Sequence, residues 1–359
     1  MTLPTYRNFL ALGFAASLAG VWSLAWILEP ADGDLARVGG YPEKDFHWKS
    51  PQMVFPENLF TITRDLADYN RYYDVVVLGD SFSCDQESRR FGWQNFFLAQ
   101  TGLSMIVFDT RRYWPQEILA LPAFKDSPPK LFIFESVERY LHERTAYLAK
   151  VPAPSSGARR PAPPVPRRPL PELPEEPPST RPSLDPDHAL THLNSLSLRV
   201  LGINTQVVKA RLKTGSLFSS PRSDELLIYF DEYSKNLLSE PDFQDIRAGL
   251  EAFRDRVESN GVTRFVVVIA PDKSSLYARW LEDADMATVN LVAEAAKDPS
   301  LPVLRTDRIL AEAMNSPDVY LPSDSHWSSR SHRLVAEGLL DLLDSQAPIA
   351  PPSKAPTEN

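Results

Sequence analysis

The sequence predicts an α/β protein: a three-layer fold built on a parallel sheet, preceded by an N-terminal transmembrane helix. Three observations carry this reading. Short, near-continuous apolar runs alternate with amphipathic helical patterns from residue 71 to 345, as expected of strands buried on both faces by crossover helices. The chain has 359 residues, 43% of them hydrophobic, enough for one large domain with its own core. From Phe9 to Leu28 it reads "FLALGFAASLAGVWSLAWIL", 20 residues without a charge. At ~1.5 Å per residue a helix of that length spans ~30 Å, the apolar thickness of a bilayer.

Residues 1–30 therefore read as a retained membrane anchor. Arg7 precedes the run, and Glu29, Asp32 and Asp34 follow it, which favours a cytoplasmic N-terminus and an extracytoplasmic body. The run closes on Trp26-Ile27-Leu28-Glu29-Pro30, a poor cleavage site, so a cleaved signal peptide is the weaker alternative. Residues 31–70 show little periodicity and read as a linker. Strand-like runs follow at Val75–Leu78, Ser104–Phe108, Leu131–Phe134, Leu226–Phe230, Phe265–Ile269 and Val303–Leu304. Helical patterns occupy Trp93–Gln100, Pro115–Ala120, Asp242–Ser259, Asp307–Met314 and about Ser331–Leu343.

One stretch breaks the alternation. Residues 151–188 hold 13 of the 33 prolines, a density that denies both helix and ladder hydrogen bonds. It reads as a disordered insertion within a domain spanning 71–345, and residues 346–359 read as a disordered tail. The net charge of −9 argues against a nucleic-acid partner. Cys84 is the single cysteine, which excludes an intrachain disulfide.

The chemistry is concentrated in two short segments. "VVVLGDSFS", 75–83, runs an apolar strand straight into Gly79-Asp80-Ser81. Ligands of open parallel sheets sit at the carboxyl ends of the strands, so Ser81 stands where a nucleophile belongs. Asp80 suits the cap of the helix that follows, and Gly79 suits close packing at the turn. A serine needs a base, and the chain offers six histidines. His326 stands apart, in the polar loop "YLPSDSHWSSRS" just before the last helix, with Asp324 two residues upstream. A carboxylate at that spacing can bond the imidazole Nδ1–H, fix the tautomer and leave Nε2 to face the serine. His332, inside the last helix, reads as a surface histidine. Trp327 reads either as a sugar-stacking wall or as packing beneath that helix.

These residues resemble the SGNH/GDSL hydrolase superfamily, and more narrowly its alginate O-acetyltransferase-like branch. "VVVLGDSFS", "LFIFESVERYL" (131–141) and "DSHW" (324–327) carry the resemblance, with "VVVIAPDKSSLY" (266–277) less specific. It implies a flavodoxin-like sheet, with Ser81 as nucleophile, His326 as base and Asp324 as its orienter. Two departures stand out. The Asp-x-His-Trp segment follows the serine here, whereas in the alginate enzymes it precedes it. The superfamily's oxyanion asparagine is also absent at the end of the third strand, where Glu135, Glu138 and Arg139 stand. Gly92, Glu135 and Arg139 are therefore the oxyanion or supporting candidates. Trp327, Lys273 and Tyr277 are the candidate substrate contacts, with surface solvation the plainer reading of the last two.

The resemblance implies an O-acetyltransferase acting on an exported or cell-surface polysaccharide, with an MBOAT-type membrane acyltransferase supplying acetyl at the inner membrane. No metal or cofactor is expected, and a nucleotide-binding reading is weak because Gly-Asp-Ser-Phe-Ser stands where a dinucleotide fingerprint would follow the first strand. Two alternatives remain at this point: an esterase or deacetylase using the same site, and a non-catalytic glycan-binding scaffold.

Overall fold

The computed structural model describes residues 3–27, 33–84, 90–150, 165–177, 186–203 and 206–345. Its centre is a sheet of β1 (Thr61–Ile62), β2 (Val75–Gly79), β3 (Met105–Asp109), β4 (Leu131–Val137), β5 (Arg264–Ala270) and β6 (Val303–Leu304). Every pairing in it is parallel, and the order across the sheet is β6-β5-β4-β2-β3-β1. With the short edge strand β1 set aside, this is the 2-1-3-4-5 order of a doubly wound, flavodoxin-like sheet. The winding reverses at β2, and the residue two places beyond its end is Ser81.

Alternate side chains on the strands feed two separate cores. Val75, Val77, Ile133, Val266 and Val268 face one; Val76, Leu78, Phe132, Phe134 and Val267 face the other. Helices Trp93–Thr101 and Ser329–Ser345 pack together over the first face. Helices Leu141–Leu148 and Glu240–Glu258 pack together over the second. With apolar neighbours on both sides, the strands have no polar face to show, which is why they read as unbroken apolar runs.

Several expectations need correction. The run Leu226–Phe230 is not a strand of the parallel sheet. Glu225–Tyr229 pairs antiparallel with Val207–Arg211 as a separate ribbon. Residues expected to be a linker instead supply helices Asp34–Gly39 and Glu43–Phe46, strand β1, and a two-residue strand, Gln52–Met53. Part of the proline-rich stretch is ordered. Glu175–Glu176 pairs with Gln52–Met53, and the Val54 N–H donates to Pro174 O at 3.0 Å. Val165, Leu170 and Leu173 pack against the first core. Proline lacks a donor but keeps its acceptor, and this segment uses that carbonyl. Residues 151–164, 178–185 and the tail 346–359 lie outside the described residues.

The N-terminal run does form a helix, Leu3–Ile27, whose Leu3, Phe9, Leu12 and Phe14 are exposed. Among the described residues, however, no helix is long and apolar enough to cross a membrane.

Candidate functional site

The Gly-Asp-Ser turn is held from below by groups that local sequence does not display together. Asp80 Oδ1 accepts from the Phe82 N–H at 3.1 Å, capping the short helix Ser81–Cys84. Asp80 Oδ2 accepts from the Val137 N–H at 2.7 Å and pairs with Arg144. Burial opposes the charge on Asp80, yet Arg144 and these N–H groups hold its carboxyl below the usual range. Glu135, at the end of β4, accepts from the Asp80 N–H and from Ser83 Oγ, each at 2.9 Å. Burial, and then the neighbouring Asp80 charge, push the Glu135 carboxyl well up. The two buried acids thus diverge: Asp80 is ionised against Arg144, and Glu135 favours its proton.

That packing explains the glycine. A Cβ on Gly79 would lie 2.5 Å from Ser83 Oγ and 2.8 Å from Glu135 Oε2. Only a residue without one lets the second serine of the motif and the β4 carboxyl close over the strand end.

The loop before the last helix supplies the partner. Asp324 Oδ1 lies 2.6 Å from His326 Nδ1 and also accepts the His326 backbone N–H at 2.8 Å. A carboxylate only accepts, so Nδ1 carries the proton and Nε2 is left as the basic nitrogen. Asp324 is buried, and His326 is 8% exposed. The imidazole ring lies 4.7 Å from the Phe82 ring, and Phe82 is the residue after half-buried Ser81. Strand end and loop, 244 residues apart at Phe82 and His326, therefore meet through adjacent side chains at the carboxyl edge of the sheet.

Other residues singled out from the sequence fall beneath the site. Trp327 is fully buried, 4.7 Å from Phe82 and 5.3 Å from His332, so it packs under the last helix and has no free face for a sugar. Lys273 is buried as well. Its Nζ donates to the carbonyls of Leu321 and Pro322 at 2.9 and 3.2 Å, so it ties down the histidine loop and is no surface contact. Burial pulls its ammonium down to about 8, against the restoring pull of Asp324 and Asp34. Tyr277, also buried, accepts the Tyr320 N–H at 3.2 Å. His332 is not on the surface: its Nδ1 accepts the Trp93 N–H at 3.1 Å. Gly92 caps the helix Trp93–Thr101, whose Gln94 amide reaches Ser83 O at 3.0 Å.

Arg139 pairs with Asp272 at 2.7 Å and lies over the rings of Tyr140 and half-buried Tyr229. Glu138, beside it, makes no exposed helical pair. It joins Lys235 at 2.7 Å, and Lys235 also meets Asp272 at 2.9 Å, all with fully buried side chains.

Two contributors escaped the sequence reading. Arg144, in an unremarkable helical stretch, steadies Asp80. Asp34, in the supposed linker, accepts from the N–H and hydroxyl of Ser325 at 2.7 and 2.6 Å. Ligand atoms of Asp34, Asp324 and His326 lie within 4.8 Å of one another, a spacing that suits a cation. The short Nδ1–Oδ1 hydrogen bond already engages the imidazole face turned to the acids, so the arrangement is that of a hydrogen-bonded dyad.

Residues 223–358 match the family model described as "SGNH hydrolase-like domain, acetyltransferase AlgX". The match bears out the resemblance to this acetyltransferase branch, and it spans Lys273, Asp324, His326 and Trp327 while Ser81 and Glu135 precede it. No curated protein and no solved structure matches the chain.

Proposed function

We propose that the protein is an O-acetyltransferase that acetylates an exported or cell-surface polysaccharide through an acetyl-serine intermediate. The observation that carries the reading is the Asp324–His326 hydrogen bond with its imidazole against Phe82, next in chain to the strand-end serine. In this reading Nε2 of His326 takes the Ser81 proton as Oγ attacks the acetyl carbonyl of the donor. The imidazolium, stabilised by Asp324, returns a proton to the leaving group. The sugar hydroxyl then gives its proton to Nε2 and attacks the acetyl-serine, so the acetyl group passes to the glycan and Ser81 is restored. The site residues in this scheme are Ser81, His326 and Asp324. Glu135 and Arg144 hold the turn that presents Ser81, and backbone N–H groups at the start of its helix meet the developing oxyanion.

Acetyl-CoA is cytosolic, so a body outside the membrane needs a donor that carries acetyl across the bilayer. An MBOAT-type acyltransferase meets that need. An inner-membrane attachment through the apolar N-terminal stretch would keep the two proteins at high effective concentration. The exposed apolar side chains of the helix Leu3–Ile27 support attachment.

The test uses an activated acetyl ester, 4-nitrophenyl acetate, with and without an acceptor glycan. The proposal expects acetyl on the glycan, and a fall of about 10⁴-fold or more in Ser81→Ala and His326→Ala. Ester hydrolysis unaffected by any added sugar would instead make the protein an esterase. Wild-type rates in both variants would remove the serine mechanism.

A further inference from the structure

The segment that follows the apolar N-terminal run is built into the histidine loop. A Cβ on Gly33 would lie 2.1 Å from Ser323 O, so this backbone sits directly on the loop. The Ala36 N–H donates to Ser323 O at 3.0 Å, and Ser323 Oγ donates to Glu43 Oε1 at 2.7 Å. Between these contacts Asp34 grips the loop on both sides of its carboxylate. Oδ1 takes the Ser325 N–H and Oδ2 takes the Ser325 hydroxyl, while the Asp34 N–H reaches Asp324 Oδ2 at 3.4 Å. Ser325 is the one residue between Asp324 and His326. Asp34 Oδ2 is also 3.9 Å from His326 Nδ1.

We propose that Asp34 is a positioning residue for the acyl-transfer site, a second carboxylate that fixes the Asp324–His326 geometry through Ser325 and stabilises the imidazolium. The inference rests on the acyl-transfer reading above. Two features separate this role from ordinary loop packing. The carboxylate spends both oxygens on the residue that sets the dyad's spacing. Its Oδ2 also lies 3.9 Å from Nδ1, one of the two ring nitrogens that share the imidazolium charge, a range over which an acid alters an imidazole's basicity. Asp324 stands on the imidazole's own loop. The titratable groups brought near it from other elements are Asp34, Lys273 below the loop, and Tyr229 with Arg139 at the ribbon. Phe82 and Trp327 pack there as uncharged rings.

The experiment measures the pH dependence of 4-nitrophenyl acetate turnover by the full chain, as wild type, Asp34→Asn, Asp34→Glu, Ser325→Ala and Ser81→Ala. Removing the Asp34 charge makes the imidazole less basic. The histidine limb of Asp34→Asn should therefore move to lower pH by about one unit, with kcat down about tenfold. Asp34→Glu should return the limb toward wild type. Ser325→Ala should lower kcat and leave the limb in place, because both charges remain; it also stands in should Asp34→Asn fail to fold. An unshifted limb in Asp34→Asn, whether kcat is kept or lost, overturns the proposal, as does a Ser325→Ala enzyme with wild-type kcat. If Ser81→Ala keeps wild-type turnover, the acyl-transfer reading itself fails and this role fails with it. An inactive Ser81→Ala beside an unchanged Asp34→Asn rejects the role of Asp34 alone.

Discussion

Gly79 and Asp324 show how differently single residues declare themselves. The Asp324–His326 pair was legible because its partners are two residues apart, and a carboxylate at that spacing has one obvious use for an adjacent imidazole. Gly79 was legible only as a small residue at a turn; its reason, Ser83 and Glu135 closing over it, needs the fold. Gly79→Ala should cost about 1–3 kcal/mol in urea unfolding and should lower ester turnover by displacing the Ser83–Glu135 contact. Unchanged stability and activity would mean that the turn gives way freely. Asp34 was not legible as a site residue, and Lys273 was legible only as a substrate contact and not as a buried tether, because their contacts lie 291 and 48 residues away along the chain. Charged side chains usually face water, and nothing local marked these two as exceptions.

At the level of elements, periodicity identified five of the six strands of the main sheet, because both-sided burial writes itself into unbroken apolar runs. It also identified the helices that cover the first face, but it passed over helices Leu141–Leu148 and Pro186–Val200. It failed too where an element is short or pairs outside the main sheet. The ribbon strand Glu225–Tyr229 has a central strand's composition, since its inner side faces a core, and only pairing distinguishes it. The segment beginning at Gly33 failed differently: its helices are four and six residues long, too short for a helical pattern to register. Gly33→Ala gives this element its own test. A methyl forced against the Ser323 carbonyl must push the segment off the histidine loop, so ester turnover should drop at least tenfold while the protein stays folded by circular dichroism. Full activity would show that the segment is not coupled to the dyad.

The molecule as a whole carries an unusual buried charge cluster behind the site. Lys235 and Arg139 face three acids, Glu138, Asp272 and Glu232, at the ends of β4, β5 and the ribbon. Burial, and then the Asp272 charge, raise the Glu232 carboxyl to about 7. Its folded affinity for a proton exceeds the unfolded one, so its contribution to stability is full below about pH 4.5 and is lost as the pH rises through about 7. Urea midpoints should fall across that interval, and Glu232→Gln should flatten the fall; an unaltered slope in that variant would assign the effect elsewhere. Lys235→Met leaves two buried carboxylates short of a cation and should cost about 3–5 kcal/mol by the same measurement. A neutral outcome would show that the acids take up protons instead.

The most direct measurement is mass spectrometry of the protein after brief incubation with 4-nitrophenyl acetate and an acid quench. The account predicts one acetyl group, on the hydroxyl of the residue that follows Asp80, and none in Ser81→Ala. Rapid turnover without acetyl at that position, or acetyl placed on another side chain, would contradict it.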